Sequence, residues 1–436
     1  EMFTRLYDNI NIRADRISVF SCDSDSDFDH ISDEDILGYA IIIKVKQADK
    51  YISAYILESV VKPLTKFGIS NYYFHSIKNH ETSIGTENNC RKFNLEGAFF
   101  AQQSGTTHVC AHAALRVAIN SHPTFGVNKL TNKYINDSID YFTKFMPGQG
   151  LSANCLREII EKLGFRFFQA DFSKNTEIDY DRFLYPYLES GLPTILGINS
   201  WDRSTNKMNG HVLTVIGHTT NFDRWQPEAD RGYGNYPVKP YITTAEWCDH
   251  YIINDDNYGM YCTIPSESMR NFIVPSKNPN PHAVIALTIA PKDISLEGYI
   301  AEQKAIMIFR RIISQGLCIR ISNNWMCRLI KSFDKVVCRT ILVKKNHYLS
   351  QFSEKDEIKL NFPELLWVTE ISLPNLYSAN KSKIGEIVLD ATNSDDLEVL
   401  FAWLPEVYLQ KDILNFNFGI NSHIPILRNT KANMEW

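Results

Sequence analysis

The spacing of apolar and polar positions divides the chain into stretches of different character. Residues 1–98 carry β-branched and aromatic runs between polar turns, which predicts a β-rich region. In residues 99–274 helix-like segments come first and apolar strands follow, the order typical of an α+β unit. The Pro- and Asn-rich residues 275–282 are the best linker candidate. Residues 283–436 hold further strands and a long helix near 296–313, which predicts an α/β block.

Length and charge narrow the classes of protein that fit this pattern. The chain has 436 residues, of which 44% are hydrophobic and 22% charged, enough apolar material for two or three packed domains. The net charge of -5 gives no general reason to bind nucleic acid or anionic lipid. No apolar run approaches the roughly 20 residues that a membrane helix needs. We therefore expect neither a nucleic-acid partner nor a membrane partner.

The nine cysteines are scattered along the chain, odd in number and without a CxxC pair. This distribution fits reduced thiols better than a disulfide framework, because secreted domains more often carry paired cysteines. The sequence therefore predicts a cytoplasmic protein.

Cys110 is the cysteine with the most informative surroundings. It lies where a polar loop runs into an Ala-rich helical segment, in QQSGTTHVCAHAALRVA. A thiol in the first turn of a helix faces unpaired backbone N–H groups and the positive end of the helix dipole, which favour the nucleophilic thiolate. Taken alone, such a cysteine more often packs in a core. Gln103, with Gln102 beside it, lies upstream, where its amide and the Cys110 backbone N–H would form an oxyanion hole.

Two later strands offer a base and a group to orient it. His211 opens the apolar strand GHVLTVIGH and could reach a helix packed across the sheet, whereas His218 lies at the far end of that strand. Asp255 closes the next strand, in YIINDDNYG, and could accept from the second imidazole nitrogen if the two strands are neighbours. Asn254 and Asp256 are alternatives, because only one face of a strand can point at the histidine.

The order of these residues resembles that of the papain-like cysteine peptidases, and within that clan most resembles the bacterial C39-like group. The resemblance covers residues 100–264 and rests on the helix-opening cysteine together with SANCLREIIEKLG, SGLPTILGI, GHVLTVIGH and YIINDD. It implies a central papain-like fold, in which the helix with the cysteine packs on an antiparallel sheet with the histidine and aspartate. By position, Cys110 would be the nucleophile, His211 the general base and acid, Asp255 the orienting residue and Gln103 the oxyanion donor.

Two positions depart from the family pattern. Ser104 stands six residues before Cys110, where the family usually has Gln, so Gln103 fits only with a loop one residue longer. Polar residues follow Asp255, where the family tends to have Pro, which leaves the third member of the triad open.

The resemblance implies a cysteine peptidase that cleaves a peptide or isopeptide bond through a thioester. Its substrate would be a protein or peptide, and it would need no cofactor. A deamidase, transglutaminase or acyltransferase would use the same residues on a protein substrate. A papain-like fold without activity would act as a binding module.

Two further patterns bear on metal ions. His108 and His112 flank Cys110 at helical spacing, but no further zinc-ligand pattern accompanies them. The acidic segment CDSDSDFDHISDED matches part of a calcium-binding EF-hand loop, with Asp at alternating positions from Asp23 and Glu34 in the bidentate slot. It lacks the required Gly, so a solvated loop is the better interpretation. We predict no bound metal.

Overall fold

The chain folds as a mixture of helices and mostly antiparallel sheets, as its α+β pattern predicts. The computed structural model describes residues 10–22, 28–48, 50–63, 72–86, 89–103, 110–122, 129–138, 151–173, 180–202, 206–221, 241–269, 281–314, 336–352, 362–394, 399–404, 407–411, 416–420 and 427–431. Among these residues, no helix has both the length and the apolar character needed to cross a membrane.

The helices and strands of the described residues are numbered in chain order. The α-helices are α1 Cys110–Ser121, α2 Asn132–Ser138, α3 Ala153–Lys162, α4 Tyr180–Glu189, α5 Gly298–Ser314, α6 Lys345–Leu349 and α7 Pro374–Asn380. The strands are β1 Ile10–Phe20, β2 Ile36–Gln47, β3 Lys50–Val61, β4 Tyr72–Phe74, β5 Lys78–Thr86, β6 Asn89–Phe100, β7 Phe165–Asp171, β8 Thr194–Asp202, β9 Lys207–Thr219, β10 Ile242–Thr243, β11 His250–Asp255, β12 Gly259–Pro265, β13 His282–Pro291, β14 Val337–Lys344, β15 Leu365–Ser372, β16 Ser382–Lys383, β17 Gly385–Asp390, β18 Val399–Leu404, β19 Val407–Lys411, β20 Phe416–Ile420 and β21 Leu427–Arg428.

The chain forms two compact units, each assembled from separate stretches of sequence. The first comprises Glu1–Phe167, Pro193–Gly217 and Tyr251–Leu287, and the second comprises Phe168–Leu192, His218–His250 and Thr288–Trp436. The boundaries inferred from the sequence, 1–98, 99–274 and 283–436, follow changes in residue pattern along the chain and stay a prediction.

The N-terminal part of the first unit is β-rich. Its sheet has the order β1-β2-β3-β6-β5, and each neighbouring pair is antiparallel. Helix α1 packs against β6. The core of this region is built from buried apolar side chains, which include Ile36, Val60, Leu95, Phe99 and Val117. Helix α1 is buried on all sides, because every residue from Ala111 to Ser121 is buried.

A second sheet carries the predicted catalytic strands. Its order is β12-β11-β9-β8-β13-β7, with β4 paired to β9. Strands β9 and β11 are therefore neighbours, which is the condition on which the predicted pairing of His211 with Asp255 depends. Gly217 allows β4 to approach β9 closely, because a Cβ at this position would lie 2.2 Å from the Tyr73 carbonyl oxygen.

Helix α3 follows its sequence signature. Ser152 precedes the helix in an extended conformation, and its Oγ accepts from the Cys155 backbone N–H at 3.3 Å. The buried positions of α3, Cys155, Leu156, Ile159 and Ile160, form one face, as the amphipathic pattern predicts.

The sheet of the second unit has the order β10-β14-β15-β17-β18-β19-β20. The long helix predicted near 296–313 is α5, and helices and strands alternate here as expected. The pairs from β14 to β20 are nevertheless antiparallel, and only β10 runs parallel to β14. The prediction of an α/β block was wrong in this respect. Short connections such as the two residues between β18 and β19 permit only antiparallel pairing, since a parallel crossover needs a dozen or more residues.

Some predictions fall outside the described residues. These are His108 of the possible zinc pattern, Asp23 and the acidic positions up to Asp27, and residues 275–280 of the predicted linker.

Candidate active site

Helix α1 and strand β9 are joined close to the predicted nucleophile and base. Thr214 of β9 donates from Oγ1 to the Ala114 carbonyl oxygen of α1 at 2.9 Å. Cys110 lies about one helical turn before Ala114, and His211 lies three residues before Thr214. The hydrogen bond therefore places the start of the helix beside the part of the strand that carries the histidine.

Asn254 belongs to the framework behind the site. Its Nδ2 donates to the Phe99 carbonyl oxygen at 3.3 Å, and its Oδ1 accepts from the Tyr261 backbone N–H at 2.9 Å. Phe99 is also joined to α1, because its backbone N–H donates to Ser121 Oγ at 2.8 Å. The amide of Asn254 is thus engaged with backbone groups on the face of β11 away from His211.

Asp255 is the carboxylate hydrogen-bonded to His211. Its Oδ1 lies 3.0 Å from His211 Nε2 and accepts from the Asn257 backbone N–H at 2.8 Å. Burial raises the pKa of Asp255, but the hydrogen bonds from His211 and from the backbone outweigh it, so the pKa is lowered overall. Asp255 is therefore a charged acceptor that fixes the orientation of the imidazole.

Asp256 supplies a second carboxylate to the same nitrogen. Its Oδ1 lies 3.4 Å from His211 Nε2, and the residue is only 7% exposed. Burial is the main cause that raises the pKa of Asp256 to about 6; the charge of His211 opposes the rise and that of Asp255 adds to it. Two consecutive aspartates thus have pKa values displaced in opposite directions, because hydrogen bonds outweigh burial at Asp255 and burial outweighs them at Asp256.

His211 contacts both carboxylates and is hydrogen-bonded to the Cys110 thiol. Burial lowers the pKa of His211, but hydrogen bonds with Asp255 and Cys110 and the charges of Asp255 and Asp256 outweigh it and raise the pKa to about 10. The imidazolium is therefore the stable form near neutral pH. Cys110 itself is partly exposed.

The two neighbouring glutamines have different partners. Gln102 is anchored to β3. Its side-chain Oε1 accepts from the Ile56 backbone N–H at 2.9 Å, and its backbone N–H donates to the Ile56 carbonyl oxygen at 2.8 Å. Gln103 instead donates from Nε2 to Asn257 Oδ1 at 3.1 Å. Gln103 is therefore the member of the pair that lies at the site.

His218, the competing histidine on β9, has other partners. Its Nε2 lies 2.9 Å from Glu189 Oε1 and its Nδ1 lies 3.0 Å from the Thr219 carbonyl oxygen. The side chain is almost completely buried. His218 packs in the interior of the second unit, and it is not the histidine paired with Cys110.

Asn257 is a site residue that sequence reasoning did not single out. Its side chain contacts Gln103 and lies 3.4 Å from both ring nitrogens of His211. The available signal was the polar sequence after Asp255, where the resembling family tends to have Pro.

The structure also bears on where a cation could bind. His211, Asp255 and Asp256 present ligand atoms within 4.8 Å of one another, a set that suits a divalent ion such as zinc. In the possible zinc pattern on α1, His112 Nε2 lies 3.1 Å from Asn136 Oδ1. In the acidic segment, Asp33 Oδ1 accepts from the Asn94 backbone N–H at 2.9 Å. The prediction that no metal is bound stays a prediction.

Comparison with known proteins identifies no family for the chain. No protein-family model matches the chain, and no curated protein matches it. The resemblance to papain-like peptidases therefore depends on the residues at the site and on their order in the sequence, and it stays a prediction.

Proposed function

We propose that the chain is a cysteine peptidase that cleaves a peptide or isopeptide bond, with Cys110 as nucleophile, His211 as base and acid, and Asp255 as the orienting residue. The observation that carries the proposal is the imidazole of His211, which is hydrogen-bonded to both Asp255 and the Cys110 thiol. A nucleophile, a base and a third group that orients the base is the arrangement that activates a thiol for acyl transfer.

In the proposed reaction, the thiolate sulfur of Cys110 adds to the substrate carbonyl carbon, and the C=O electron pair moves to oxygen. The Gln103 amide and the Cys110 backbone N–H donate to this oxyanion. The adduct collapses as the C–N bond breaks, and His211 gives its proton to the leaving amine. Water, deprotonated by His211, then attacks the thioester and releases the carboxylic acid and the thiol.

Asp255 and Asp256 favour the first step through their charge. Both stabilise the imidazolium, which is the partner that a thiolate requires. Asp255 also selects the ring orientation, because its carboxylate is hydrogen-bonded to Nε2.

The experiment that tests the proposal is alkylation by iodoacetamide at pH 6.5, with each cysteine followed by mass spectrometry. An ordinary thiol with a pKa near 8.5 is only about 1% thiolate at this pH. We expect Cys110 to react at least about tenfold faster than the exposed Cys90, which is the internal control. The substitution His211→Gln should remove this advantage, and Asp255→Asn should reduce it.

Equal alkylation rates at Cys110 and Cys90, with the protein shown to be folded, would reject the enzymatic proposal and favour a binding module. If Cys110 is reactive, incubation of the native protein and a Cys110→Ala variant with a proteome separates the outcomes. New peptide termini that appear only with the native protein support a peptidase. Conversion of Gln to Glu without new termini would point to a deamidase instead.

A further inference from the structure

Asn257 contacts three of the groups that the proposed reaction uses. Its Oδ1 accepts from Gln103 Nε2 at 3.1 Å, and its Nδ2 lies 3.4 Å from both His211 Nδ1 and Nε2. Its backbone N–H donates to Asp255 Oδ1 at 2.8 Å, the same oxygen that His211 contacts. One residue thus joins the oxyanion donor to the base and to the carboxylate.

We propose that Asn257 is a positioning residue, which orients the Gln103 amide toward the developing oxyanion and keeps that amide aligned with His211. This inference rests on the proposed function, because it assigns a role within the same acylation step.

Gln103 needs such a partner because the last torsion of a glutamine side chain is broad and does not fix the amide by itself. The NH₂ group has two N–H donors. Donation of one to Asn257 Oδ1 directs the second, which can then serve the oxyanion. An oxyanion donor acts only when it is aimed in advance at the position that the oxygen will occupy.

Asn257 is itself held by the turn that follows β11. Its backbone N–H is bound by the buried Asp255 carboxylate. The turn ends at Gly259, whose φ of +125° is a conformation that L side chains rarely adopt. Because Nδ2 lies equally far from the two ring nitrogens, the amide packs against the imidazole without being directed at either nitrogen. The turn therefore connects the position of the Gln103 amide to that of the His211 ring.

Two small reagents separate this role from activation of the thiol. Iodoacetamide forms an S–C bond by displacing iodide and creates no oxyanion. With p-nitrophenyl acetate, the sulfur adds to the carbonyl carbon, the oxyanion forms, and the C–O bond to the aryl group breaks. The p-nitrophenolate leaves with the bonding electron pair and needs no proton from His211. The ratio of the two rate constants therefore reports on the oxyanion donor.

The test measures both rate constants at Cys110 for the full chain and for Asn257→Ala, Asn257→Asp, Gln103→Ala and the double Ala variant. For Asn257→Ala we expect acetylation to fall about 5- to 20-fold, less than the 10²–10³ typical for loss of a donor, while alkylation changes less than about twofold. Asn257→Asp keeps an acceptor for Gln103 and should restore most of the acetylation rate. In the Gln103→Ala background, Asn257→Ala should have little further effect, since the two residues act as one unit.

Tyr258→Ala is the matched control, because this neighbour lies on the same turn and is 84% exposed. Its acetylation and alkylation rates should both match those of the native chain. The positioning role would be overturned if the acetylation rate of Asn257→Ala stays within twofold of the native rate. It would also be overturned if Asn257→Ala lowers the acetylation rate equally in the native chain and in the Gln103→Ala background. If Cys110 of the native chain is not alkylated selectively, the proposed function itself is rejected, so the two failures are distinguishable.

Discussion

Two of the clusters of buried ionisable groups in the described residues differ in how completely each cation is surrounded by acceptors. In the second unit, Arg339 and Lys383 lie among Glu189, Glu370 and Glu386. In the first unit, His211 faces the two carboxylates of the candidate active site. The first arrangement surrounds each cation with acceptors, whereas the second places two acids on one ring nitrogen.

Lys383 illustrates the matched arrangement. Its ammonium is 0% exposed and donates to Glu370 at 3.0 Å, Glu386 at 2.7 Å and Thr430 Oγ1 at 2.6 Å. Burial lowers the pKa of Lys383, but the two glutamates outweigh it and raise the pKa overall. Arg339 is bound in the same way, by Glu189 and Glu370. Such a network holds strands in register but has no accessible group left to react.

The candidate active site has the opposite character. Asp256 is buried beside a residue that Asp255 already satisfies, and Cys110 remains partly exposed. Ionisable groups that are buried at a cost in stability are common at functional sites of proteins. The comparison shows that each cation of the network is surrounded by several acceptors, whereas at the candidate site two acids share one ring nitrogen near a partly exposed thiol.

The largest expected effect is on the matched network. The substitution Lys383→Met leaves Glu386 buried without its cation and Glu370 with Arg339 alone, and we expect it to lower the free energy of unfolding by about 3–5 kcal/mol. Urea unfolding followed by circular dichroism measures the change. The exposed Lys292→Met is the control, with an expected change within about 0.5 kcal/mol. A loss below about 1 kcal/mol for Lys383→Met would show that the network is not stabilised by pairing.

Charge removal at the candidate site should have the opposite sign. The pKa of Asp256 is about 6 in the folded protein, whereas that of an ordinary aspartate is 3.8. The free energy of unfolding therefore falls as the pH rises from about 4 to 6, and it stays lower above pH 6. Asp256→Asn should therefore stabilise the protein by about 1–3 kcal/mol at pH 8, and the gain should fade as the pH falls from about 6 to 4.

Thermal unfolding of native and Asp256→Asn protein between pH 4 and 8 measures this trend. Asp255→Asn is the matched control, because the pKa of Asp255 is lowered and loss of its charge should destabilise at pH 8. Destabilisation by both substitutions at pH 8 would contradict the inference that ionised Asp256 lowers the stability of the folded protein.

The smallest effect is expected at an exposed ion pair. Arg157 and Glu161 form a pair at 3.0 Å along α3, with both side chains about half exposed. Glu161→Gln should cost only about 0.3–0.5 kcal/mol, because water screens the charges. Urea unfolding in low and high salt checks this value. A cost comparable to that of Lys383→Met would mean that burial does not explain the difference between these pairs.

Much of the local structure could be predicted from the sequence. The helix after Ser152, the strands around His211 and Asp255 and the β-rich start follow from short-range periodicity and capping residues. The antiparallel order of the C-terminal sheet was missed, because residue patterns reveal strands more readily than their direction. Glu189 could not be connected with Arg339 either, since 150 residues separate them.

The sequence by itself determined the residue types of the candidate site and their order: a cysteine at the start of a helix, a glutamine before it, and a histidine and an aspartate on later strands. Only the tertiary structure decided which of the adjacent polar residues lie at the candidate site. Hydrogen bonds turn Gln102 to β3 and Asn254 to Phe99, and direct Asp255 and Gln103 to the side of His211 and Asn257. The physical reason is that adjacent residues share their local pattern, whereas the direction and pKa of each side chain are set by partners distant in the sequence.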